Sequence, residues 1–99
     1  MTNGQFIGFV RGEIWFQDRS VLHFREFVKT NDGIERYMYV YHYQGSAGDL
    51  HFRYDNTPHF PNLVTFPHHK HSGSESAVIA ADPLTLETIL DEIVLQYVT

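Results

Sequence analysis

The sequence predicts an α+β fold, a curved antiparallel β-sheet of about five strands in a meander with one C-terminal α-helix packed on one face. Three observations predict it. Up to Asp55 the chain is a series of aromatic and β-branched runs separated by short turn signals. Pro58, Pro61 and Pro67 then exclude a helix interior or a central strand over residues 56–67. The closing residues carry apolar side chains at helical spacing.

Residues 5–10 and 13–18 are two short β-prone runs around Arg11-Gly12, and Asp18-Arg19-Ser20 reads as the turn before a strand over 21–29. Asn31-Asp32-Gly33 is a hairpin signal, because Asp-Gly tolerates the positive φ such turns require. The strand over 34–44 places Tyr37, Tyr39, Tyr41 and Tyr43 on one face by period 2. Such a row packs beneath a helix more often than it stacks nucleic-acid bases. Gly45-Ser46-Ala47-Gly48 is the next turn, and residues 49–55 the next strand. Phe60, Leu63, Val64 and Phe66 give the proline-rich segment enough apolar surface to pin it down as an ordered loop. Ser72-Gly73-Ser74 is a flexible break, and residues 77–81 form a short edge strand. In the helix, Leu86, Ile89, Leu90, Ile93, Val94 and Tyr97 recur on one side, with Glu87, Asp91 and Glu92 on the other. Asp82 before Pro83 supplies an N-cap, with Thr85 as the alternative.

Ninety-nine residues make a single domain, 1–99. There is no cysteine, so neither a disulfide framework nor a thiolate zinc site is available. No apolar run has the length of a membrane span and the N-terminus has no signal pattern, so a cytoplasmic protein with no membrane association is expected. The net charge of −5 argues against a nucleic-acid partner, but its distribution does not. Residues 1–74 hold seven acids and all seven bases, and the deficit lies in Glu75, Asp82, Glu87, Asp91 and Glu92. Between His51 and His71, Asp55 is the one acid against Arg53, Lys70 and five histidines. That stretch forms a local cationic face where histidines are protonated.

Chemistry therefore concentrates in residues 53–71. If 67–72 is extended, alternation points His69 and His71 to one side and His68 and Lys70 to the other. Arg53, Asp55 and His51 share a side of their strand by the same rule. The run RYDNTPHFPNLVTFPHHKH, preceded by YVYHYQ and FREFV and followed by LTLETILDEI, resembles the TumE-like family of bacterial toxin–antitoxin systems over about residues 13–93. The resemblance implies a toxin component, a cognate DNA-binding antitoxin as its partner, and ribonuclease action on RNA. Many members carry a longer N-terminal segment, so a shortened version of the family is expected here. Many also have a second histidine after the one matching His59, where this chain has Phe60.

Three readings of the cluster follow. In the first, RNA is cleaved without metal or other cofactor. His59, His69 and His71 transfer protons, Asp55 orients one of them, and Arg53, Lys70 and His68 bind the substrate. In the second, His59, His69 and His71, with Asp55, hold a divalent metal such as zinc. In the third the segment is a non-catalytic docking loop for a protein partner. His23, His42 and His51, taken singly, read as structural. Glu26, flanked by Phe24 and Phe27, is expected partly buried as a partner of Arg25 or Arg53. A homodimer would cover the second face of so thin a sheet.

Overall fold

The structure, a computed structural model, describes residues 6–30 and 33–98. Six strands follow one another in a single antiparallel sheet of order β1-β2-β3-β4-β5-β6: β1 Phe6–Trp15, β2 Val21–Thr30, β3 Ile34–Gln44, β4 Leu50–Asp55, β5 His69–Ser72 and β6 Val78–Ala80. The helix α1 spans Leu86–Gln96. The expected meander and closing helix are both present, with one strand more than the sequence suggested.

The difference arises in two places. Arg11-Gly12 is not a break: β1 runs straight through it and pairs with β2 from Phe6↔Thr30 to Trp15↔Val21. Glycine is there for space, since a Cβ on Gly12 would lie 2.8 Å from Cζ of Phe24 on the neighbouring strand. Asp18 belongs to the following turn, where it accepts from the Ser20 N–H at 2.9 Å and its hydroxyl at 2.5 Å. At the other end, residues 69–72 pair with β4 and become β5, and β6 is the short edge strand expected there. Gly73, at φ +80°, turns the chain between them. Asn31 and Asp32 of the expected hairpin turn lie outside the described residues.

The core is on one face. Leu22, Tyr39, Tyr41, Tyr43, Phe52 and Tyr54 are buried against Ile89 and Ile93 of α1, whose N-cap is Thr85 rather than Asp82. The buried hydroxyls are all bonded, as burial demands. Tyr54 donates to Glu92 at 2.6 Å, Tyr43 to Ser20 at 2.8 Å, and Tyr41 to Glu26. Arg36 ties this network to the segment leading into the helix by donating to Tyr41 Oη and the Leu84 carbonyl, both at 2.7 Å. Glu26 therefore partners Tyr41 and Arg36, not Arg25 or Arg53.

Two bulges change which face a side chain takes. Phe27 pairs with Met38 but Val28 with Arg36, so Tyr37 is an extra residue in β3. Tyr37 consequently leaves the tyrosine row and its ring packs at 6.2 Å from that of Phe27. Tyr43 pairs with Phe52 but Gln44 with Leu50, so His51 is extra in β4. His51 packs on the rings of Tyr43 and Tyr97 at 5.1 and 4.7 Å, on the core side rather than beside Arg53.

Candidate functional site

The face opposite the helix collects what the core rejects. Cross-strand register aligns Arg11, Arg25, Val40, Asp55 and His69 in one row across five strands. The next row is Glu13, His23, His42, Arg53 and His71. Residues two apart on a strand share a face, so these ten positions form one surface. Two adjoining hollows of about 650 and 290 Å³ lie on it, and Arg25, Val40 and Arg53 line both.

The smaller hollow is built around the Asp55 carboxylate. Oδ1 accepts from the Thr57 backbone N–H and lies 3.0 Å from His69 Nε2. Oδ2 accepts from Arg53 Nε at 3.3 Å and lies 3.8 Å from His71 Nε2. The far nitrogen of each ring is fixed by main chain: His69 Nδ1 by the Pro67 carbonyl at 3.0 Å and His71 Nδ1 by the Glu75 carbonyl at 2.8 Å. A carbonyl only accepts, so both Nδ1 atoms carry a proton and both Nε2 atoms turn to Asp55. His69 and His71 are 2% and 5% exposed, and the Phe60 ring lies over them at 4.7 and 5.8 Å. His59 is exposed on the loop and lines the same hollow.

Arg53 is the cation that holds the Asp55 carboxylate. Its two terminal nitrogens both donate to Glu75 while Nε holds Asp55. Burial opposes its charge, but the hydrogen bonds and attraction of Glu75, with Asp55, outweigh that and hold its pKa above the ordinary value. The same hydrogen bonds lower the Glu75 pKa. His42 is pushed below its ordinary 6.5 chiefly by burial, with Arg53 adding to the shift, although its bond to Gln44 opposes it.

Of the expected site residues, Asp55, Arg53, His59, His69 and His71 come together. Lys70 and His68 do not. Lys70 points to the helix side, where it bonds Glu92 at 3.2 Å and lies 4.9 Å from the Tyr54 ring centre. His68 stacks on Tyr39 with ring centres 5.7 Å apart and bonds its hydroxyl at 2.8 Å. Neither takes the substrate-binding place that the sequence suggested, because alternation sends them away from His69 and His71. Val64 and Phe66 are exposed, so Phe60 and Leu63 provide the loop's half-buried apolar contacts. His23 and His42, read singly as structural, line the larger hollow with ring centres 6.0 Å apart. Sequence carries a signal for one of them: His42 alternates with the tyrosines of β3 and so must face away from them.

For a metal ion, one ligand atom each from Asp55, His69 and His71 lie within 4.8 Å of one another, and His59 is not among them. Backbone carbonyls at both Nδ1 atoms are the support that metal-binding histidines commonly have. Arg53 at 3.3 Å from the same carboxylate opposes a divalent cation there.

Fold and site define a small α+β protein with a helix-covered structural face and an open face rich in histidine and arginine. A family model described as Toxin TumE matches residues 2–98, and the chain belongs to this toxin family. Neither the curated proteins nor the solved structures contain a match. Among the described residues no helix is long and apolar enough to cross a membrane.

Proposed function

We propose that this chain is the toxin of a toxin–antitoxin pair and cleaves RNA without metal, through the Asp55 cluster on the open face. The observation that carries the reading is the convergence of two oriented histidines and one arginine on a single buried carboxylate. With Nδ1 protonated, neutral His71 has its lone pair on Nε2 and serves as the base. It takes the proton of a ribose 2′-hydroxyl as that oxygen bonds to the adjacent phosphorus. The bond from phosphorus to the 5′-oxygen breaks, and His59 donates the proton that the departing oxygen needs. The products are a 2′,3′-cyclic phosphate and a 5′-hydroxyl. Arg53 stabilises the charge on the phosphoryl oxygens. Asp55 and His69 are positioning residues that hold the cluster. Access to His71 requires the Phe60 ring to move aside.

The test is cleavage of a defined single-stranded RNA by untagged protein, with and without chelator, beside His71→Asn. Asparagine retains a donor for the Glu75 carbonyl but cannot act as the base. Cleavage that resists chelator and falls by about 10²–10⁴-fold in the variant is expected. Cleavage abolished by chelator would instead favour metal at Asp55, His69 and His71, the second reading that their convergence supports. No cleavage by the folded protein overturns both and leaves the loop as a docking surface for the antitoxin.

A further inference from the structure

The bulge that expels Tyr37 from the core places it in an aromatic strip on the open face. Phe9 stacks on Phe27 with ring centres 5.5 Å apart and planes at 26°, and Tyr37 continues the row. Phe9 is 58% and Tyr37 37% exposed, so ring surface is left open at both ends. Beside this strip, on the same strands and face, Arg11 stands directly opposite Arg25. Like charges directly opposed across strands repel. Neither arginine has an ion pair with a carboxylate among the described residues: Glu13 is engaged by His23 at 3.0 Å, and Glu26 lies on the other face with Arg36. Two opposed guanidinium groups without a carboxylate suit an anion, and open rings next to them suit a planar base.

We propose that Phe9, Phe27 and Tyr37 with Arg11 and Arg25 form a binding platform for single-stranded RNA flanking the cleaved phosphate, the rings stacking bases and the arginines holding phosphates. Arg25 faces Val40 and Val40 faces Asp55, so the platform begins two strand spacings, about 9.5 Å, from the strand of Asp55. Arg25 also lines the smaller hollow, which makes the track continuous with the site. An acidic protein segment would satisfy the arginines but has no use for the adjoining stack of rings. The inference deepens the ribonuclease reading and takes its direction along the chain from it.

The experiment titrates wild-type protein with a labelled 2′-O-methyl oligouridine, which lacks the attacking hydroxyl and reports binding alone. Arg11→Gln/Arg25→Gln should weaken binding and reduce the slope of log K against log salt by about 1.4, the share of two phosphates on a single strand. Tyr37→Ser and Phe9→Ser, both at exposed rings, should each cost about tenfold while leaving the slope unchanged. Arg19→Gln, in the turn after β1, is the charge control and should bind normally. Circular dichroism confirms that each variant is folded. Unchanged binding in the arginine and aromatic variants overturns the platform, as does an oligoglutamate peptide binding where the oligouridine does not. Platform-dependent binding by a protein that cuts no RNA would remove the ribonuclease reading and keep the platform. Cleavage with an unchanged KM in all these variants would do the reverse.

Discussion

The two faces of the sheet are made by the same strands, often by neighbouring residues, and they solve opposite problems. On the helix side, Tyr41 and Tyr54 bury rings and bond their hydroxyls to Glu26 and Glu92. On the other side, His42 and Asp55, each one residue further along, face a hollow. Burial drives the Tyr39 hydroxyl pKa up to about 12, so that face stays uncharged at the tyrosines across the physiological range. The open face instead collects histidines, arginines and carboxylates around its hollows. A period of two thus lets a small chain separate its core from the proposed site, and a substitution should report on one or the other according to its parity.

The largest test of that separation is Ile93→Asp, which places an unpaired carboxylate at a fully buried helix position. The cost should reach at least about 4 kcal/mol, much of the stability of a domain this size. Loss of the folded circular-dichroism signal is expected, and a folded variant would break the division of labour at its root. Lys70→Ala is the sharper test, because Lys70 lies within the histidine run yet belongs to the helix side. Leaving Glu92 half-satisfied should cost about 2 kcal/mol, lowering Tm by on the order of 10 °C. Cleavage per folded molecule should not change, whereas a selective loss of activity would return Lys70 to the site.

The smallest effect is a pH slope shared by both faces. His42 on the open face and His68 on the helix side are both lowered from 6.5, chiefly by burial, so the folded state binds fewer protons than the unfolded chain just below that pH. Their contribution is complete above 6.5 and is lost as pH falls through the folded values. Glu75, lowered from 4.5 by Arg53, adds a second loss at more acid pH. Urea midpoints should therefore decline from pH 7 downward, and His42→Gln/His68→Gln should flatten the first part of the decline. An undiminished slope in the double variant would place its source elsewhere.

Much of this division is legible in the amino-acid sequence. Alternation alone assigns Tyr39, Tyr41 and Tyr43 to the buried side, and it sends His69 and His71 away from Lys70 and His68. Helical spacing picks out Ile89 and Ile93. What escapes sequence reasoning is anything set by pairing between distant strands. The bulges at Tyr37 and His51 exist only as mismatches of register, so period counting puts both residues on the wrong face. Gly12 looks like a turn because its purpose, room for the Phe24 ring, depends on a residue of the next strand. Lys70 looks like a substrate cation because its partner Glu92 is far along the chain. His23 and His42 look isolated because the row joining them to Arg53 and His71 runs across the sheet.

Asp55 and His69 face each other as the last pair of β4 and the first of β5. All of residues 56–68 hang beyond that pair, so the Asp55 cluster forms the neck of a noose and the proline-rich segment its slack. Closure entropy grows only with the logarithm of loop length, and doubling the slack would cost about 0.6 kcal/mol. The neck can therefore keep its register while residues 61–64, between Phe60 and the Thr65 hydroxyl that bonds the His68 carbonyl, are lengthened or exchanged. Insertions at residues 61–64 should accordingly leave Thr57, His59, Phe60 and Pro67, and with them the Asp55 cluster, in place.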